Sequence, residues 1–444
     1  IFEDLRRTKA AEQSDSAIGQ KGLLALTAGA PGHIIFNAAQ RYIRDLPQRR
    51  AQIEALVIAA SVNEDPTAVQ FVLEMARKFN QATVRAKAAE LAEAIADRRG
   101  WTPQELADRT IPAAGFDADG LLRLDYGPRA FTGRLARSPK TGAWGIELAT
   151  ADGKTVKALP RPAQTDDPES AKAARAQLST AKKELAALVK VQTNRLYDAM
   201  CAGRTWPADT WREVFADHPV MRHLAAALVW RAAPADQAAP ADQADQADHP
   251  DQSSGWFRPT PEGDLLDLDD ADFRLDSASQ VALAHGALAP PEQAEAWRAH
   301  LGDYGIVPLF RQFDARPPAL NAADRREYAV KDHRGWLSDT RAIRQRATAR
   351  GYARAGALDG GWFNSYVKEL PAAGLSVTIE FTGSPLPDQD IPAAVEDLSF
   401  QNASGQTLTL AQVPPVALAE AYADYAHIAE AGQFDPDWKQ KSGY

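Results

Sequence analysis

The stretch from Leu159 to Trp230 constrains this chain most, because its helix signals agree over the longest run. Asp166 and Asp167 stand before Pro168. A carboxylate there caps free N–H groups, and proline pre-sets the first helical φ without wasting a donor. From Leu178 the apolar residues fall at Ala181, Leu185, Leu188, Val189, Leu196, Ala199 and Met200, the three-and-four spacing of one buried stripe. Lys182, Lys183 and Glu184 face away, and Gly203 supplies a left-handed stop after Cys201. The spacing predicts one helix of roughly nine turns starting at Pro168. Gln192 interrupts the stripe, where a core amide needs a hydrogen-bond partner. Two shorter helices should follow. One opens near Pro207 with Trp211, Val214 and Phe215, the other at Pro219 with Met221, Leu224, Leu228 and Trp230.

The rest of the chain arranges around that rod as a mixed fold, mainly α and then α+β. Residues 1–110 carry successive helix signatures opened at Pro31, Pro47, Asp65-Pro66 and Thr102, the last with a capping box to Glu105, and suggest a HEAT-like helical arm. Residues 111–162 change character. Asp119-Gly120, Tyr126-Gly127 and Asp152-Gly153 separate short segments that read as a small antiparallel sheet. The central helical region occupies 163–231. Residues 232–254 collapse into an Ala, Pro, Asp and Gln repeat that cannot form a core and reads as a disordered linker. Residues 255–444 form an α+β domain, with strands at GWFRP, DLLDLD, QVALAHG, FNSYVKEL and LSVTIEF. Its helices are expected at Pro291–Leu301, Ser338–Arg350 and Val416–Ala431, the last docking back on a core.

Composition narrows the function classes. The 50 basic and 59 acidic side chains give a net charge of -9, which argues against wholesale coating of nucleic acid. The single cysteine, Cys201, excludes an intramolecular disulfide and a cysteine-rich zinc site. No apolar run approaches the roughly 20 residues a bilayer requires, so a cytoplasmic protein without membrane contact is expected. Opening on Ile1, the chain reads as a piece of something longer.

Positive signs of chemistry are few. The histidines, His33, His218, His223, His249, His285, His300, His333 and His427, show no metal-binding helix spacing, and neither a metal nor a cofactor is predicted. His218 reads as a helix-entry residue before Pro219. Cys201 sits at a helix C-terminus, whose negative end blunts a nucleophile. Gly153-Lys154-Thr155 imitates the end of a phosphate loop, but Leu148 stands where the loop needs glycine, and a hairpin turn is the better reading. Arg341, Arg344, Arg346 and Arg350, with Arg354 beyond, form a basic helix face able to bind phosphates or an acidic segment, although a solvated face is the default. A second set, Arg109, Asp125, Arg129, Gln192, Arg204 and Trp206, lies beside the turns flanking the long helix and could line a pocket or knit sheet to helices.

Several segments carry a family resemblance. LPRPAQTDD, QTNRLYDAMCAGRTW (Gln192 to Trp206) and HPVMRHLAAALVW (His218 to Trp230) resemble the mostly bacterial MolR-like, or molybdate metabolism regulator-like, family. LADRTIP and LDYGPRAF upstream, and GDYGIVPLFRQF and DGGWFNSYVKELP downstream, extend the likeness. The resemblance implies a domain of unknown function, brings no catalytic residues, and implies helical repeats ahead of this region in larger members. The leading expectation is therefore a non-catalytic regulatory or scaffold protein acting through protein contacts, with the balance against an enzyme. The alternatives are an enzyme or switch binding a phosphorylated or other anionic small molecule, and nucleic-acid binding through the basic helix face.

Overall fold

The computed structural model describes residues 17–138, 142–234, 255–356, 361–386 and 389–442. The chain divides into two compact units, Ile1–Ala114 and Gly115–Tyr444.

The first unit is helical. Helix α1 (Ala17–Gly29), wound as a 3-10 helix, is followed by α2 (Gly32–Asp45), α3 (Arg50–Ser61), α4 (Pro66–Lys78), α5 (Ala82–Arg99) and α6 (Pro103–Arg109). Asp65 starts α4 by accepting from the Thr67 amide at 2.8 Å, and its second oxygen accepts from Gly32 at 2.8 Å, so one carboxylate ties two helix starts together. Asn63 donates to the Ala28 and Ala30 carbonyls at 2.7 and 2.9 Å. Gly100, at φ 65°, closes α5 in the left-handed conformation. The expected capping box between Thr102 and Glu105 opens α6. Ile53, Val57, Val69, Val72, Val84 and Ile95 are buried in this unit's own core. The sequence expectation of a helical arm holds at this level; a HEAT repeat is a finer assignment.

The second unit begins with an antiparallel sheet in the order β1 (Leu121–Asp125), β2 (Ala130–Arg137), β3 (Trp144–Thr150) and β4 (Thr155–Val156). Gly153, at φ 83°, turns β3 into β4, so the Gly-Lys-Thr triplet is a hairpin. The sheet lies against α7 (Pro168–Cys201), one unbroken helix of 34 residues. Asp167 caps it by accepting from the Ser170 amide at 2.9 Å, and Gly203 at φ 63° follows its end. Leu185 and Leu196, 1% and 3% exposed, lie on its buried stripe, each burial contributing about 2 kcal/mol.

A second antiparallel sheet takes in β5 (Thr205–Pro207), β6 (Trp230–Pro234), β7 (Gly255–Pro259), β8 (Leu265–Leu266) and β9 (Ser279–Leu283), in the spatial order β5-β9-β6-β7-β8. Helix α8 (Ala208–Trp211) runs into a π-helical turn, Arg212–Ala216, and α9 (Met221–Ala225) follows. Trp230, expected at the end of a helix from Pro219, instead opens β6: the helix stops at Ala225, whose carbonyl accepts from the Trp230 indole at 3.0 Å. One face of this sheet buries Trp230 against Trp206, Trp211 and Phe215, with ring centroids 5.9, 5.4 and 5.0 Å away. The other receives α10 (Pro291–Asp303) through Trp297 and Leu301, with Val229 and Phe313. Ala232 to Pro234, expected in the linker, belong to β6, and β6 and β7 pair directly, so the segments before and after the linker share one sheet. The remainder of the expected linker, 235–254, lies outside the described residues.

The third sheet follows the order β12-β13-β14-β15-β11-β16, with β10 also paired to β15. Its strands are β10 (Ala329–Val330), β11 (Trp336–Asp339), β12 (Ala353–Arg354), β13 (Trp362–Leu370), β14 (Leu375–Pro385), β15 (Pro392–Asn402) and β16 (Gln433–Phe434). Helix α11 (Thr340–Ala349) packs on α12 (Pro415–Ala429), and α12 in turn meets β15 and α7. Leu418, Ala421, Tyr425 and Ile428 are its buried face, as the sequence spacing requires. Among the described residues no helix is long and apolar enough to cross a membrane.

Candidate functional site

A set of buried and half-buried polar groups lies where α7, α12 and β13 meet. Glu420 and Asp424 are four apart on α12, and Tyr197 and Cys201 four apart on α7, so each helix turns two polar residues to the same side. Lys368 comes from β13, Tyr352 from the segment between α11 and β12, and His285 from the end of β9.

The hydrogen bonds run in a definite direction. Lys368 Nζ donates to Asp424 Oδ2 at 2.9 Å and to the Tyr197 hydroxyl at 3.3 Å. Tyr197 donates onward to Glu420 Oε2 at 2.8 Å. His285 Nδ1 accepts from the Ala287 amide at 3.0 Å, so the ring proton sits on Nε2 and is donated to Glu420 Oε1, 3.1 Å away. Both oxygens of Glu420 are thus filled. Arg350 Nη1 approaches Asp424 Oδ1 at 3.5 Å, so two carboxylates face two cations. The Lys368 ammonium also lies 5.0 Å from the Tyr197 ring centroid and 5.5 Å from that of Tyr352. The Tyr352 hydroxyl, buried and facing Asp424, makes no hydrogen bond of normal geometry.

Burial sets the electrostatics. It pushes the Asp424 carboxyl up, against the opposing pull of Lys368. It holds the Tyr197 phenol and the Cys201 thiol far above their ordinary ranges, with Glu420 adding to both shifts. The thiol, fully buried, is therefore kept protonated, and the first cause is desolvation rather than the helix end. Chemically this is a set of fixed donors locked onto two carboxylates. Among the described residues no group of three or more His, Cys, Asp or Glu side chains is placed to hold a metal ion.

The residues singled out in the sequence fall elsewhere, with one exception. On α11, Arg341 is exposed and Arg344 half-buried, while Arg346 donates to the His427 carbonyl at 2.6 Å and Arg350 turns to Asp424. The basic face is thus partly spent on holding α12, and Arg350 alone joins the polar cluster. The second set is not one pocket. Asp125 caps a turn by accepting from Gly127 at 2.7 Å, and Arg129 binds the buried Asp166 at 2.9 Å, both near the start of α7. Arg204 lies over the Trp206 ring at 4.8 Å, past its end. A helix of 34 residues separates the two by roughly 50 Å. Gln192 is buried between them; its Oε1 accepts from Arg195 at 3.0 Å, and its Nε2 has no partner, so the expected core hydrogen bonding is half met. Arg109 belongs to the first unit, over the Trp101 ring at 5.3 Å. His218 is the predicted entry residue, its Nδ1 accepting from the Val220 and Met221 amides at 3.1 Å each.

Sequence reasoning missed Tyr197, His285, Lys368, Glu420 and Asp424 as a set. The one available signal was polar residues recurring every fourth position on otherwise apolar helix faces.

A family model described as "Domain of unknown function (DUF4132)" matches residues 153–352. That span includes Tyr197, Cys201, His285 and Tyr352 but stops short of Lys368, Glu420 and Asp424. Over 270 residues the chain is 27% identical to the uncharacterized protein YehI of Escherichia coli (strain K12), covering 60% of this chain and 21% of that protein. The chain therefore spans about a fifth of the length of the curated relative it matches. No solved structure matches. These matches overturn the resemblance to the molybdate metabolism regulator-like family: the matched family is a different domain of unknown function, and the relative is uncharacterized.

Proposed function

We propose that this chain is a non-catalytic regulatory or scaffold module of the cytoplasm that works through protein–protein contacts and needs no cofactor. The observation that carries the proposal is the distribution of exposed apolar side chains. Among the described residues, five of the nine large exposed hydrophobics, Leu23, Leu26, Ile34, Ile58 and Val62, lie on α1, α2 and α3 of the first unit or directly after α3, and α3 packs against both of the others. Leu26 is 78% exposed. Exposed apolar residues gathered on adjacent elements mark contact surfaces. We read the first unit as a HEAT-like arm, in which an open apolar face is where a neighbouring helical layer stacks.

The polar cluster supports the same reading from the other side. Its charged groups are paired within the chain, and its thiol and phenol are held protonated, an arrangement that ties elements together and leaves no activated nucleophile. A nucleic-acid role through α11 is disfavoured, since Arg346 and Arg350 are engaged with α12.

The test is affinity capture from an extract of the source cells, comparing the wild type with Leu26→Asp/Ile58→Asp after circular dichroism has shown both folded. A protein recovered with the wild type and depleted by about tenfold with the variant, the loss of roughly 1.4 kcal/mol of binding, supports the proposal. Equal recovery from both, or no stable partner from either, refutes it.

A further inference from the structure

The second sheet carries two arginines that no carboxylate among the described residues pairs at close range. Antiparallel pairing sets Arg231 of β6 opposite Trp256 of β7 and Ala282 of β9, so these three side chains share the face that receives α10. Arg258 stands two residues beyond Trp256 and projects to that same face. The opposite face holds the aromatic core around Trp230 and Phe257.

Arg258 is 5% exposed. Its Nε donates to His300 Nε2 at 3.3 Å, and its guanidinium lies 4.9 Å from the Tyr304 ring centroid. A ring nitrogen that accepts from a guanidinium is unprotonated, so His300 answers the arginine with a hydrogen bond and supplies no negative charge. Asp270 acts on it only at longer range and is itself 48% exposed.

Arg231 is the sharper case. It is half-buried, its Nε is buried with no hydrogen-bond partner, and no carboxylate among the described residues offsets its desolvation. Arg137 shows what the same chain does with a comparably buried guanidinium, which there donates to the carbonyls of Gly142 at 2.8 Å, Val307, and Pro308 at 3.4 Å. Nothing equivalent meets the Arg231 Nε among the described residues. Its neighbours on that face are the small Ala282 and, along β6, Ala233, with Trp256 beside it stacked on Phe313, ring centroids 6.0 Å apart. A half-buried guanidinium with an unpartnered Nε, diagonal to a second arginine on the neighbouring strand, suits an oxyanion, because the planar fork presents paired donors to two oxygens at once.

We propose that Arg231, with Arg258 beside it, forms a subsite on the α10 side of this sheet for the phosphate or carboxylate group of a small molecule. The proposal uses none of the residues of the polar cluster on α12, and it stands or falls independently of the contact role proposed above. The anion completes the hydrogen bonding of Arg231, and Trp256 supplies an aromatic wall for the rest of the ligand.

Isothermal titration at constant ionic strength with inorganic phosphate, pyrophosphate and citrate tests this, and the comparison of phosphates with citrate tells the two oxyanion types apart. The expected result is one-to-one binding of at least one probe by the wild type, weakened about tenfold or more in Arg231→Met and unaffected in Arg341→Met, whose arginine is exposed on α11. Arg231→Met should melt at or above the wild type when no anion is present, since it removes an uncompensated buried cation. Should that variant fail to fold, Arg231→Gln gives the same reading. Absence of binding by the wild type for all three probes, or binding by the Arg231 variant as tight as the wild type, overturns the proposal.

Discussion

Lys368 Nζ lies 2.9 Å from Asp424 Oδ2, joining strand and helix residues 56 positions apart in the chain. The pair is nearly sealed, with side-chain exposures of 17% for Lys368 and 4% for Asp424. Tyr197 from the long helix and Arg350 from α11 close around it, so four elements meet through one pair of charges. Such a pair contributes little net stability relative to apolar residues of the same shape, but losing one partner is costly.

Gln312, 1% exposed, plays an analogous part between strands. Its Oε1 accepts from the Val229 amide at 2.9 Å, while its Nε2 donates to the carbonyls of Val229 at 2.8 Å and Ala284 at 2.7 Å. Gln312→Met keeps the volume and removes all three bonds. It should lower the unfolding free energy by about 2 to 3 kcal/mol, read as a lower urea midpoint at unchanged slope. A midpoint equal to the wild type would show the clamp to be idle.

Cys201 gives a simple accessibility test, since it is the only thiol in the chain. It is fully buried, and burial followed by Glu420 raises its pKa. The folded protein should resist an aromatic disulfide reagent that labels one thiol per chain in denaturant. Prompt stoichiometric labelling of the folded protein would contradict the burial and the protonation state together.

How much of this could be read from the sequence depends on how local the determining physics is. The long helix was legible because its cap at Asp167, its proline start, its apolar stripe and its stop at Gly203 all lie within one segment. The first sheet was legible from the glycine turns between its strands. Trp230 was misplaced because the apolar run before it fits a helix and a buried strand equally well, and only its pairing with Phe257 and Leu283 decides. The polar cluster was illegible for a stronger reason. Tyr197, His285, Lys368 and Glu420 come from four elements whose meeting is set by packing, and none stands in a recognisable motif. The arginines of α11 were visible as a charge pattern, yet their roles follow from α12, which the pattern cannot place.

Acid should weaken the fold through histidines whose pKa values burial lowers. Burial, then Arg222, lowers the His223 pKa from 6.5 to about 4, and burial leads the downward shifts of His300, His333 and His427. The unfolded chain then takes up the proton first. The stability tied to His223 is full above its unfolded value, near pH 6.5, and is lost as pH falls through about 4. Asp424, shifted upward by burial, acts in the opposite sense, so the comparison must isolate the histidine. Between pH 7 and pH 4, His223→Gln should lose roughly 2 kcal/mol less stability than the wild type, a figure discounted for its partial solvent contact. Parallel pH profiles for the two proteins would remove His223 from the account.

The most direct measurement of whether the polar cluster is a structural tie is a double-mutant cycle on Lys368→Met and Asp424→Leu, followed by denaturant unfolding. Each single variant should lose about 3 to 5 kcal/mol by depriving the other buried charge of its nearest partner, and the double variant should lose much less than their sum, a coupling of about 2 kcal/mol or more. Single variants as stable as the wild type, or coupling indistinguishable from zero, would contradict it, because residues held for a reaction rather than for the fold can be removed at no cost to stability.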